Sequence, residues 1–125
     1  QEFMIVPNGA CDFSEIMQWS SEIYHNLKHI IRSKNYSTAV GDEGGFAPNL
    51  QSNEEAVELI IESILKSNLI PGTDVNIALD CAASEFFDGC KYFFRGENKK
   101  YSSSEFRIGK VDLLGVAFES FWSAF

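Results

Sequence analysis

The sequence predicts an α/β fold of the layered or barrel type, left open within this chain. Three observations carry that expectation. Two short apolar runs, residues 3–6 and 75–80, have the make-up of strands covered on both faces, as in a parallel sheet. Two long segments with helical spacing lie between them, which departs from simple strand–helix alternation but keeps the α/β character. Two or three strands, finally, cannot close a sheet into a barrel by themselves.

Taken in order, Phe3, Met4, Ile5 and Val6 form an apolar run ended by Pro7-Asn8-Gly9, with Glu2 at its start. Asp12 or Ser14 can cap the next segment, with Glu15 in its first turn. Ile16, Trp19, Ile23, Leu27 and Ile30 recur at three- and four-residue spacing and mark one apolar helix face, which Ile31 broadens. Lys28, Arg32 and Lys34 bring positive charge to its C-terminal half, where the helix dipole favours it, and Asn35-Tyr36-Ser37 ends it.

Val40-Gly41-Asp42-Glu43-Gly44-Gly45-Phe46-Ala47-Pro48 follows, with three glycines, one proline, two carboxylates and no base. Such a segment cannot be a regular helix, and its position between two apolar periodic runs gives it the makings of a site-forming loop. The plain alternative is an ordinary Gly/Asp-rich surface turn.

Ser52-Asn53-Glu54-Glu55 reads as a capping box. Ala56, Val57, Ile60, Ile61, Ile64 and Leu65 mark the buried side of the helix it opens, which should stop near Asn68, before Pro71-Gly72. The strand over residues 75–80 ends in Asp80. Residues 85–90 suggest a short turn or helical piece, residues 91–94 a short excursion strand, and residues 95–104 a polar, exposed stretch. Asp112 can cap a last helix, in which Leu113, Leu114, Ala117, Phe118, Phe121, Trp122 and Phe125 make a broad apolar stripe that needs a partner surface.

A hydrophobic content of 45% with 14% aromatic residues argues for one packed domain over 125 residues. The formal charge of -8, from 10 Lys+Arg against 18 Asp+Glu, counts against nucleic acid or an anionic membrane surface as main partner. A small anionic substrate would need a metal ion or a local basic cluster. Cys11, Cys81 and Cys90 are odd in number and form no CxxC pair, which fits a reducing compartment better than a disulfide framework. No apolar run approaches membrane-spanning length. The opening residues read as the inside of a domain, so a fragment is expected.

Asp80 is the first candidate for chemistry, because α/β folds place ligands at the C-terminal ends of their strands. It suits an oxygen-ligated ion such as Mg²⁺, which would want further carboxylates and waters, and it equally suits a helix cap or loop anchor. Glu85 is a possible acceptor behind such a ligand, or a solvated acid. Glu43 is the second candidate: a general acid near neutrality must hold its proton, which needs desolvation or neighbouring negative charge of the kind Asp42 can supply. Glu2 is a third member if its strand end lies near the loop. His25 and His29 are one helical turn apart, but Asn26 stands where an HExxH pattern requires glutamate, so surface or partly buried histidines explain them. Cys81 reads as a packing residue, and Trp19 and Trp122 as core or interface anchors.

Four segments, in order, carry a resemblance: Gln1-Glu2-Phe3-Met4-Ile5, Glu22-Ile23-Tyr24-His25-Asn26-Leu27-Lys28, Val40 to Asn49 around the acidic loop, and Leu79-Asp80-Cys81-Ala82-Ala83-Ser84-Glu85-Phe86. They are similar to enolase, phosphopyruvate hydratase. The resemblance covers residues 1–91 and weakens beyond. It implies that residues 1–125 are part of the C-terminal TIM-like barrel domain, whose start of two strands and then two helices would account for the helix pair, with residues 92–125 a divergent tail. It also implies Mg²⁺-dependent, reversible dehydration of 2-phosphoglycerate to phosphoenolpyruvate, in a cytoplasmic homodimer with no nucleic-acid or membrane partner. By the resemblance Asp80 is a metal ligand, Glu43 the acid that protonates the departing hydroxyl, and Glu2 a substrate-pocket glutamate. The ions would invert the local field and so let an acidic protein take a trianionic substrate. The family's lysine base, its other metal carboxylates, its phosphate-binding arginine and serine and its catalytic histidine have no counterpart in this sequence. The chain alone is therefore expected to turn over little or not at all. The alternative is a non-catalytic, enolase-derived binding protein that uses an open sheet edge and the Phe118, Phe121 and Trp122 stripe.

Overall fold

The structure, a computed structural model, describes residues 1–94 and 98–105. Along them run β1 (Glu2–Val6), α1 (Phe13–Ser33), α2 (Asn53–Lys66), β2 (Asn76–Asp80), α3 (Ala83–Phe86), β3 (Tyr92–Phe94) and β4 (Lys99–Tyr101). The described residues fall into two compact units. One is Ile5–Asn76, and the other joins Gln1–Met4 to the residues from Ile77 onward. The strand, helix, helix, strand order is the one expected. The proposed last helix from Asp112 lies outside the described residues.

In the first unit α1 packs on α2. Both helices start with the same device. Asp12 accepts the Glu15 N–H at 2.9 Å while the Glu15 carboxylate accepts the Cys11 N–H at 2.7 Å. Ser52 accepts the Glu55 N–H at 3.2 Å while Glu55 accepts the Gln51 N–H at 2.8 Å. Each glutamate thus satisfies a donor one residue before the cap, a one-residue offset from the usual capping box. Both helices also end alike. Asn35 and Asn68 take positive φ, 61° and 59°. Tyr36 and Leu69 then donate back to Ile31 and Ile64, at 3.1 and 3.2 Å. This is the Schellman arrangement with asparagine in place of glycine.

Ile23, Ile30 and Ile31 of α1 and Val57, Leu59, Ile60 and Ile64 of α2 form the core, with Leu69 and Val75 beside them. The buried face of α2 is rotated from the expected one: Leu65 is exposed and Leu59 is buried, and Ser63 and Ser67 are buried too. The reason is polar but local. Ser63 donates its hydroxyl to the Ile60 carbonyl at 2.7 Å, and Ser67 to that of Ser63 at 3.0 Å, so both bury with their hydrogen bonds made. Asn26 of α1 donates to the Ser67 hydroxyl at 2.9 Å and ties the two helices together.

Strand β1 pairs with β2, and the second unit holds the first part of β1 and β2 from Ile77, then α3 and the antiparallel hairpin β3–β4, registered Tyr92 opposite Tyr101, Phe93 opposite Lys100 and Phe94 opposite Lys99. Phe94 is buried against Phe86, with ring centroids 4.5 Å apart, and takes the edge of Tyr101 at 5.5 Å. β4 replaces part of the stretch read as merely polar. Beyond it Ser102 and Glu105 form a third reciprocal cap. Ser102 accepts the Glu105 N–H at 3.3 Å, and Glu105 accepts the Ser102 N–H at 2.8 Å. β1 is less covered than its apolar run suggests: Met4 is 37% and Val6 42% exposed. The described strands form two two-stranded sheets and no closed barrel, so little of a sheet surrounds β1.

Candidate functional site

The acidic loop folds as a small hairpin. Val40 and Phe46 bridge in antiparallel fashion, and Ala47 donates to the Ala39 carbonyl at 3.0 Å. Gly44 donates to the Gly41 carbonyl at 3.0 Å and Gly41 to that of Gly45 at 2.9 Å, which leaves Asp42 and Glu43 at the apex. Gly44 sits at φ +86°, the left-handed residue that closes a three-residue hairpin loop with a glycine bulge. Of the three glycines only this one is required by its backbone angle. A Cβ on Gly45 would meet nothing within 4 Å, and one on Gly41 only ordinary contacts at 3.8 and 3.9 Å. Asp42 and Glu43 are both exposed.

Three side chains to which the sequence assigned no role at this loop hold it. Tyr24 of α1 stacks on Phe46 with centroids 4.4 Å apart and planes 25° apart. Tyr36, just before the loop, donates its hydroxyl to Glu55 at 2.8 Å. The other oxygen of Glu55 accepts the N–H of Gln51, just after the loop. One carboxylate therefore clasps both stems. The Gln51 N–H, and after it the Tyr36 hydroxyl, hold the Glu55 carboxyl below the usual glutamate range. The same hydrogen bond to Glu55 pushes the Tyr36 phenol up. An aromatic residue inside an otherwise small and acidic loop was the available signal. Its partner, Tyr24, lies 22 residues before it in a helix, beyond what spacing alone reveals.

Asp80 is the last residue of β2 and is exposed, as the strand-end reading requires. Its Oδ1 accepts the Ala82 N–H at 2.9 Å, which also realises the loop-anchor alternative. Ala82 is held at φ 44°, ψ 43°, a left-handed conformation that costs a non-glycine residue about 1–2 kcal/mol. Glu2 opens β1 and is partly exposed, and Glu85 is exposed on α3. Glu43 belongs to the unit Ile5–Asn76, and Glu2 and Asp80 to the other. His25 and His29 are exposed on α1, and the Tyr24 and His25 rings meet edge to face at 6.0 Å.

As a donor set for a divalent cation these residues are incomplete. Among the described residues no three His, Cys, Asp or Glu side chains group so as to hold a metal ion, and one Asp80 oxygen is already engaged. Mg²⁺ binds through one or two carboxylates plus waters in strict octahedral geometry. The residues present do not by themselves make that site.

An α/β chain with a carboxylate at a strand terminus and a glutamate on a tied, glycine-bearing loop has its polar groups where α/β folds, barrels among them, carry chemistry. The family model described as enolase, C-terminal TIM barrel domain, matches residues 1–123. The chain belongs to that family.

Proposed function

We propose that the chain carries the acid side of a phosphopyruvate hydratase site, the reversible conversion of 2-phosphoglycerate to phosphoenolpyruvate. Glu43 is the general acid: its carboxyl proton passes to the C3 hydroxyl as the C3–O bond breaks, and the hydroxyl leaves as water. Glu2 orients that end of the substrate. Asp80 is the residue that would contribute to a Mg²⁺ site, but the remaining donors are not grouped in this chain and no step is assigned to the ion. The C2 proton must be taken by a base that has no counterpart here. What supports the reading is the placement of Glu43, with Asp42, at the apex of a loop tied at both stems, in a chain of the enolase barrel family.

Two arms test it. The 125-residue polypeptide, given excess Mg²⁺ and 2-phosphoglycerate, is expected to show no turnover above background in an absorbance assay for phosphoenolpyruvate. A rate near the ordinary enzyme range of about 10 s⁻¹ would overturn the division of labour proposed here. With the chain joined to the remaining strands of an intact family barrel, Glu43→Gln should lower kcat by about 10²–10⁴. An unchanged kcat removes Glu43 from the reaction.

A further inference from the structure

The apex of a hairpin loop is a poor place from which to aim a side chain, because loops open more easily than the elements that flank them. Here the loop is restrained at three points outside its own backbone. The face of Tyr24 meets Phe46, one Glu55 oxygen takes the Tyr36 hydroxyl before the loop, and the other takes the Gln51 N–H after it. The first restraint fixes the base of the hairpin against α1. The other two fix both stems against the first turn of α2. Glu55 is thereby more than a cap, since a cap needs only a bond to the chain just before the helix. The Tyr36 hydroxyl has no part in capping, and it lies on the far side of a fourteen-residue excursion, residues 37–50.

We infer that Tyr24 and Glu55 are positioning residues for the Glu43 loop: they hold the hairpin on the α1–α2 pair so that its apex presents the acid in one place. The inference rests on the reading of Glu43 as the acid, but the restraint is a property of the loop and can be measured without any reaction. It goes beyond stabilising the fold, because Tyr24 is 36% exposed and is not part of the isoleucine-rich core between the helices.

Amide hydrogen exchange of the whole chain, read residue by residue, tests it. The loop amides that donate within the hairpin, Gly41, Gly44 and Ala47, report the loop, and the amides of Ile30 and Ile64 report the core. In the parent chain the hairpin amides are expected to be protected. Tyr24→Ala should raise their exchange about three- to tenfold, the range expected for loss of one aromatic pair, with the core amides within twofold. Tyr24→Phe, which keeps the ring, should leave both groups unchanged. Glu55→Ala should raise exchange at the loop amides further than Ser52→Ala, which removes the cap but leaves the clasp. Three results would each overturn the inference: hairpin amides that exchange freely in the parent chain, loop and core amides that rise together in Tyr24→Ala, or equal effects of Glu55→Ala and Ser52→Ala. None of these depends on turnover, so a failure of the enolase reading and a failure of the clasp appear in different experiments.

Discussion

Gly9, in the connection from β1 to α1, lies against the turn that leads into β2, and replacing it with alanine should cost more than its surface position suggests. A Cβ built on Gly9 would stand 2.7 Å from Asp74 Cα, 3.0 Å from the Thr73 carbonyl oxygen and 3.1 Å from that of Asp74. All three atoms are backbone, so no side chain can swing aside. Carbon atoms rest at about 3.5–4.0 Å, so relief requires a shift of about 0.8 Å or more. Such a shift breaks the bond from the Gly9 N–H to the Asp74 carbonyl, now 2.9 Å, because it carries donor and acceptor past bonding range. Overpacking at about 1–3 kcal/mol and one lost hydrogen bond at about 0.5–1.5 kcal/mol together give about 1.5–4.5 kcal/mol. With a urea m-value of about 2 kcal/mol/M, the midpoint of Gly9→Ala should fall by about 1–2 M. Gly45→Ala is the control, since a Cβ there meets nothing within 4 Å, and it should stay within about 0.5 kcal/mol of the parent. Equal midpoints for the two variants would refute the close approach on which the argument stands.

Two further outcomes follow from the same structure. The Tyr36 phenol, held up by its bond to Glu55, should ionise above its ordinary value of 10.0 in an ultraviolet titration, and Glu55→Gln should bring the midpoint down. Its contribution to stability is whole below pH 10 and is lost as pH rises through the raised value, whereas that of Glu55 is whole above the ordinary glutamate range and is lost as pH falls through its lowered value. Val6, Phe13 and Met17 are each exposed, and the chain should bind a dye sensitive to apolar groups and associate with rising concentration in size-exclusion chromatography. A dye-silent monomer at every concentration would count against these side chains being free.

The parts of this fold that were legible in the sequence are those fixed by short-range chemistry. Ser52 caps where its spacing to Glu55 said it should, and of the two candidates for the first helix, Asp12 and Ser14, it is Asp12 that caps. Strand β2 ends at Asp80 as its apolar run required. Polarity alone is a poor guide elsewhere. Ser63 and Ser67 bury because each donates to a carbonyl three or four residues back, which a count of apolar positions does not see, and the buried face turns away from Leu65 to Leu59. Lys99, Lys100 and Tyr101 form a strand because Tyr92 and Phe94 offer them a partner, although their own composition is polar. The candidate acids were legible as residues. Their supports were not, since the Tyr24–Phe46 stack and the Tyr36–Glu55 bond join residues about twenty positions apart.

Position and reactivity are supplied separately in this molecule. The helix pair and its clasp determine where Glu43 sits, and β2 determines where Asp80 emerges, both through contacts complete within the chain. A carboxyl that must keep its proton near neutrality needs a different kind of surrounding, one that removes water or adds negative charge. Glu43 stands exposed on its loop. On the function proposed above, a substitution in the clasp would change where the acid is presented, and one in any element that covers the loop would change how readily it keeps its proton.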